Sequence, residues 1–288
     1  MRDDKTFLSD LPFPMNRRTR MKKTSLFAAL ITLSSAAALA HPYWLLPSTT
    51  RLDKPGYIAL DAGMSEDDMP FQLNHRALKL SKDFSVTAAD GSKVKPENLQ
   101  QSPLRTTLDL NLTQAGTYRI GQSHQGFVAS WQENGKTVRE KVTAADLASK
   151  VPAHAVGLEL TEMVWRLEAF VTVGEPTELK PLGQGIEMIV VGGHVNRLHA
   201  GSTTILRLLA DGEPVPGLDV SVVREGTRYR SQPEKIELKT DAKGEIRVRW
   251  PQAGMYLLEA VGNDKKPTIQ PSSGRTFRYV ATFEVMPK

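Results

Sequence analysis

The amino-acid sequence predicts an all-β protein: two antiparallel β-sandwich domains, the second immunoglobulin-like or prealbumin-like, with one short helix in the first. Three observations point there. Apolar and polar residues alternate with a period of two in several stretches, the mark of strands with one buried face. Turn pairs separate those stretches: Asp90-Gly91, Asp211-Gly212, Pro216-Gly217 and Asn263-Asp264. One five-residue phrase occurs twice, as Gln114-Ala115-Gly116-Thr117-Tyr118 and Gln252-Ala253-Gly254-Met255-Tyr256. A tyrosine just after a glycine turn is a common corner of immunoglobulin-like sandwiches, and two copies suggest two such domains.

Residues 1–40 read as an upstream extension followed by a cleaved signal peptide. Met21-Lys22-Lys23 is basic, Ser25 to Leu39 is apolar or small, and Ala38-Leu39-Ala40 is a small-x-small cleavage signal. The apolar run is about 15 residues, short of the roughly 20 a spanning helix needs. Cleavage after Ala40 places the protein in the periplasm and makes His41 its first residue.

The leader also carries most of the charge. The 288 residues hold 37 Lys and Arg against 32 Asp and Glu, a net of +5. Residues 1–40 contain seven of the basic and three of the acidic residues, which leaves 30 and 29, a net of +1. A near-neutral surface has no electrostatic footprint for nucleic acid, so the calculated pI of 9.3 says nothing about a DNA or RNA partner. A hydrophobic share of 40% and a charged share of 24% are those of a globular protein rather than a disordered chain.

The first domain is expected over 41–175. Trp165, Leu167, Ala169, Val171 and Val173 share one strand face, opposite Arg166, Glu168 and Thr172. Thr143 caps a short helix over 144–150 that Pro152 ends. Gly174-Glu175-Pro176, continuing to Pro181-Leu182-Gly183, has the composition of a linker. The second domain is expected over 183–288, with strands at 203–210, 218–223, 245–250, 255–261 and 277–286. The stretches Asp211-Gly212-Glu213-Pro214-Val215 and Thr240-Asp241-Ala242-Lys243-Gly244 have the rhythm of prealbumin-like modules joined by tight hairpins.

The chain has no cysteine, which excludes disulfides, thiolate metal sites and cysteine nucleophiles. It contains no nucleophile elbow, phosphate loop, dinucleotide fingerprint or His-Glu-x-x-His pair. Six histidines, His41, His75, His124, His154, His194 and His199, are then the main candidates for transition-metal ligands. As a mature amino terminus, His41 offers an α-amine and an imidazole to one ion, a nitrogen pair that suits copper, nickel or cobalt. Pro42 has no backbone N–H, so the chelate stops at two nitrogens and needs further ligands. A copper brace of the oxygenase type would need a second histidine beside His41. His194 and His199 come together only if the chain turns at Asn196-Arg197; otherwise they mark a polar loop. Glu66-Asp67-Asp68 with Met64 and Met69 sets acidic oxygens beside thioethers, or is a solvated loop.

The start Ala40-His41-Pro42-Tyr43-Trp44-Leu45-Leu46-Pro47, the middle Leu182-Gly183-Gln184-Gly185-Ile186-Glu187, the hairpin Leu208 to Val215, Thr240 to Gly244 and the ending Ala281 to Val285 resemble a known family. It is the secreted domain-of-unknown-function family four-one-nine-eight, related to periplasmic nickel/cobalt-uptake (NikM-like) proteins. The resemblance implies a non-enzymatic periplasmic accessory protein that binds one transition-metal ion, nickel, cobalt or copper. It implies His41 as a ligand and adds weight to His194, and with His199 these make the expected metal site. The implied partners are the metal ion and an envelope transporter or TonB-type receptor, since the mature chain has no apolar run long enough to span a bilayer. The competing expectation is a structural or protein-interaction sandwich module of the cell envelope with no metal.

Overall fold

The strand Val156–Val173 pairs with Gly116–Glu133 on one side and with Gly274–Met286 on the other, and the rest of the protein is built around that trio. The computed structural model describes residues 41–288, apart from Asp67, Ala144 and Pro271. The expected leader, 1–40, lies outside the described residues. The regular structure of the described part is almost all strand, as the period-two patterning predicts, with one α-helix and one 3-10 turn. Its central sheet has eleven strands. Two smaller sheets cover it: a five-stranded one carrying Tyr43–Pro47, Gly56–Met64 and Thr106–Leu112, and a four-stranded one carrying Ile186–Val191, Thr203–Ala210 and Glu245–Arg249.

Alternation along Val156–Val173 sends side chains to two different cores. Leu167, Ala169, Val171 and Val173 join Trp44, Leu60, Leu108 and Tyr118 under the five-stranded sheet. Val164 and Phe170 point the other way and join Met188, Leu206, Trp250 and Phe283 under the four-stranded sheet. Successive residues of a strand face opposite sides, so one strand serves both cores. The two cores thus lie on opposite faces of one shared sheet. Most pairing is antiparallel, but the halves meet through a parallel pair, Thr161↔Gly274 to Ala169↔Thr282.

The repeated phrase does the same job twice. Tyr118 is fully buried and its hydroxyl donates to the Gln114 carbonyl at 2.9 Å; Tyr256 does the same to Gln252 at 2.8 Å. Gly116 has φ +113° and Gly254 has φ +137°, backbone that L side chains rarely adopt. The phrase therefore encodes a turn that only glycine allows easily, locked by a tyrosine that reaches back to it.

The proline- and glycine-rich stretch after Val173 is a fastened strap rather than a free linker. Glu187 is fully buried and accepts the Leu182 and Gly183 amides at 2.6 and 2.8 Å. Thr117 and Thr177 exchange bonds of 3.0 and 3.1 Å between amide and hydroxyl. Arg119 and Arg166 donate to the Lys180 and Gln184 carbonyls. Between these anchors sits buried Glu168, 3.8 Å from Arg119 and 3.6 Å from Arg166, accepting the Tyr279 hydroxyl at 2.7 Å. Burial and the Glu168 charge push the Tyr279 phenol well above its ordinary range.

The helix is shorter than expected, Leu147–Lys150. Thr143 still helps to start it: its hydroxyl accepts the Asp146 amide at 3.3 Å while Asp146 accepts the Thr143 amide at 2.5 Å. Val151 is extended, as a residue before proline prefers to be. Nearby, Phe127, Ala129, Trp131 and Leu160 form a third small core with Ile269 packed against it. Buried Glu162 holds the 265–273 loop there, accepting the Thr268 amide at 2.6 Å and the Ile269 amide at 3.1 Å.

Two outcomes follow. Removing the Tyr256 hydroxyl (Tyr256→Phe) should cost about 1 kcal/mol, and Gly254→Ala about 1–2 kcal/mol, both read by chemical denaturation. For Glu162, burial raises the pKa but is outweighed by bonds from Gln125, Thr268 and Ile269, so the carboxyl titrates below its usual range. A depressed folded-state pKa stabilises fully above the ordinary glutamate range, and that stability is lost as pH falls through it. Hydrogen-exchange protection at Thr268 and Ile269 should drop in that acid window in the native protein and stay flat with pH in Glu162→Gln.

Candidate functional site

The first described residues are held by Trp44. Its indole is buried over Gly63, where a β-carbon would lie 2.5 Å from the ring, so only glycine leaves room for it. The indole N–H donates to Ser65 Oγ at 2.8 Å. Ser65 also binds the Pro42 carbonyl through its amide at 3.0 Å and the Gln72 carbonyl through its hydroxyl at 2.9 Å. One serine thus ties the start of the first strand to the loop that follows Met64.

Register then brings two histidines together. Met64 lies opposite Tyr43 on one side and opposite Arg76 on the other. His41 and His75 stand just ahead of those partners, so both project past the end of the same strand. Their imidazole centroids are 3.9 Å apart with the planes tilted by 36°. Glu66 Oε1 stands 3.7 Å from His75 Nδ1. Arg278 donates to the His41 carbonyl at 3.1 Å and to Glu259 at 2.6 Å, and lies 5.3 Å over the Tyr43 ring. Tyr43 meets Trp165 edge-on at 5.4 Å. A histidine pair flanked by a carboxylate, an arginine and two aromatic rings results.

The structure pairs His41 with His75 and with neither His194 nor His199. His199 lies opposite Met286, eight residues along the Gly274–Met286 strand from Arg278, which puts it roughly 26 Å from His41. The chain does turn between His194 and Arg197, through an Arg197 amide bond to the His194 carbonyl at 3.2 Å. The turn's Asn196 is bound to Thr172, at that same far end of the sheet. His41, His194 and His199 cannot serve one ion. Among the described residues no group of three or more His, Asp or Glu side chains is arranged to hold a metal. His124 lies opposite Trp165 on the adjacent strand and is exposed, as is His154.

The acidic loop is engaged in packing. Asp68 pairs with Lys235 at 3.3 Å, Arg76 donates to the Met64 sulfur at 3.0 Å, and Asn74 reaches the Met69 sulfur at 3.7 Å; Asp67 lies outside the described residues. A separate cleft of about 350 Å³ is lined by Asp61, Arg105, Glu225 and Glu284, and Arg105 is already clamped there by both oxygens of Asp61.

His75 is the residue that sequence reasoning missed. It stands 34 positions after His41 with no histidine or cysteine between them, and only strand register joins the two.

Residues 38–264 match the family described as Domain of unknown function (DUF4198). The chain belongs to that family. The DUF4198 match takes in the Trp44 anchor and both paired histidines. No curated protein matches the chain. Among solved structures, the adhesin InvE of Yersinia pseudotuberculosis is 13% identical over 84% of this chain and 58% of its own, with a TM-score of 0.22. The Escherichia coli adhesin FdeC is 12% identical over 85% of this chain and 64% of its own, at 0.23. The D0-D1 domain of Intimin is 10% identical over 84% and 97%, at 0.21. The chain therefore spans about three-fifths of the length of the first two. At TM-scores this low, none of these likenesses bears on how this DUF4198 chain acts.

Gly63→Ala tests the anchor. Overpacking the Trp44 ring should cost about 1–3 kcal/mol and weaken the magnetisation transfer between the His41 and His75 ring protons in NMR spectra. Unchanged transfer would separate the histidine pair from the Trp44 seat.

Proposed function

We propose that this protein is a non-enzymatic β-sandwich module of the cell envelope, exported by the 1–40 leader, that acts by binding a partner protein. One observation carries the reading. The strand Ile186–Val191 lies at the edge of its sheet and pairs only with Thr203–Ala210 among the described residues. Natural edge strands are usually protected by lysine, proline or a bulge. This one reads Ile-Glu-Met-Ile-Val-Val, and its single charge, Glu187, is buried at the strap. Ile189 and Val191 are half exposed on the face opposite the core-facing Met188. Arg166 already holds the Ile186 carbonyl at 2.6 Å, so the open part of this apolar edge is Ile189 to Val191, which is suited to accept a strand from another protein whose main chain supplies the hydrogen bonds. A photo-crosslinker at Val191 should give a discrete adduct in envelope fractions, and one at exposed Glu133 should not. Equal adducts at both positions, or none at Val191, would remove this edge as the binding surface.

A second reading is favoured by the 3.9 Å contact of His41 and His75: the module captures a transition-metal ion beside an envelope transporter or TonB-type receptor. The relation expected between this family and nickel/cobalt-uptake proteins belongs to this reading. It expects Cu(II), Ni(II) or Co(II) to raise the melting temperature of protein beginning at His41. A ligand that binds only the folded state stabilises it by RT ln(1 + [L]/Kd), about 2.7 kcal/mol at a hundredfold excess over Kd. No shift with any of the three ions leaves the partner-binding reading alone.

A further inference from the structure

We propose that cutting the chain after Ala40 completes a copper(II) site of three nitrogens: the α-amine of His41, the imidazole of His41 and the imidazole of His75. The proposal rests on the metal reading above and assigns its ligands.

The described side chains supply two of the three nitrogens, and the third is made by proteolysis. An α-amine titrates near 7.7, so a useful fraction is free to bind at neutral pH. Within one residue, amine and imidazole close a chelate. Pro42 blocks any further ligand from the backbone because it has no N–H to lose. The third nitrogen must then come from elsewhere in the fold, and the register about Met64 delivers His75. An ion about 2.0 Å from each ring nitrogen would set the two centroids roughly 4.5–6 Å apart, depending on the angle at the metal. The rings stand at 3.9 Å, so they must open by roughly 0.6–2 Å to admit it.

The surroundings suit such a site. Glu66 Oε1 lies 3.7 Å from His75 Nδ1, beyond hydrogen-bond distance, and a closer approach would orient the imidazole with Nε2 toward the metal. Arg278 holds the His41 carbonyl, which fixes the backbone of the chelating residue. Tyr43 and Trp165 wall one side. Among divalent first-row ions copper binds nitrogen donors most tightly, and three nitrogens with no thiolate favour Cu(II).

The test uses full-length mature protein made by export through its own leader, with its first residue confirmed as His41 by mass. It is compared with protein whose His41 α-amine is blocked by acetylation, with His75→Ala, and with His199→Ala. Each is titrated with Cu(II) and read by competition affinity and by nitrogen hyperfine structure in the electron paramagnetic resonance spectrum. The expected result is one Cu(II) with three nitrogens in the native and His199→Ala proteins. The acetylated protein and His75→Ala should each lose a nitrogen from the spectrum and weaken binding by at least ~10-fold, the smaller loss seen when an outer-shell partner is removed. Acetylation leaves every folded side chain in place, so its result stands even if His75→Ala disturbs the loop. Native affinity in either variant overturns the three-nitrogen site while leaving metal binding intact. No Cu(II) binding by the native protein overturns both.

Discussion

From Arg166 to Val173 every residue of the central strand is buried. That is the constraint on which the rest of the fold depends. A strand buried on both faces needs a cover on each, and one sandwich provides only one. The first half of the chain covers the face of Leu167, Ala169 and Val171; the second half covers the face of Phe170. A shared sheet meets both needs at once, and it explains why the strap between the halves is fastened at so many points.

The same strand shows where sequence reading reaches its limit. The face carrying Leu167, Ala169, Val171 and Val173 was legible from apolar spacing alone. The opposite face, with Arg166, Glu168 and Thr172, looks solvent-facing by the same rule, yet all three residues are buried. The alternation rule equates polarity with exposure, and a buried cluster of paired charges defeats it. Arg119, Tyr279 and Asn196 complete this one, from strands and loops far along the chain. Burying those charges is tolerable because each meets an opposite charge or a hydrogen-bond partner; an isolated one would be strongly unfavourable. Composition misled in a similar way after Val173. Proline and glycine suggest a linker, but Glu187 turns the segment into a strap, and a lone glutamate gives no sign in sequence of what it binds.

Local features were read more fully. The doubled glycine-and-tyrosine phrase keeps its turn, its φ and its return hydrogen bond within five residues, so nothing distant is needed to decode it. The histidines divide along the same line. His41 stands out because the leader ends before it, a local signal. His194 and His199 looked like a pair because they are near in sequence, but that nearness only places them together at the far end of the sheet. His75 carries no local mark at all. Its meeting with His41 is a product of register, and a shift of one residue between Arg76 and Met64 would turn it to the other side of the sheet.

Chain ends usually fray, and a fraying histidine makes a poor ligand because its freedom must be lost on binding. Here the loss has largely been met by folding. Trp44 is buried three residues from His41, its indole seated where only glycine fits and its N–H held by the serine that also fixes Pro42. His41 is therefore positioned by its neighbours before the strand begins. His75 is positioned from the other side through the hydrogen bonds of Ser65 to Gln72. The copper site proposed at this corner thus depends on an apolar contact, indole against glycine, at least as much as on the two imidazoles.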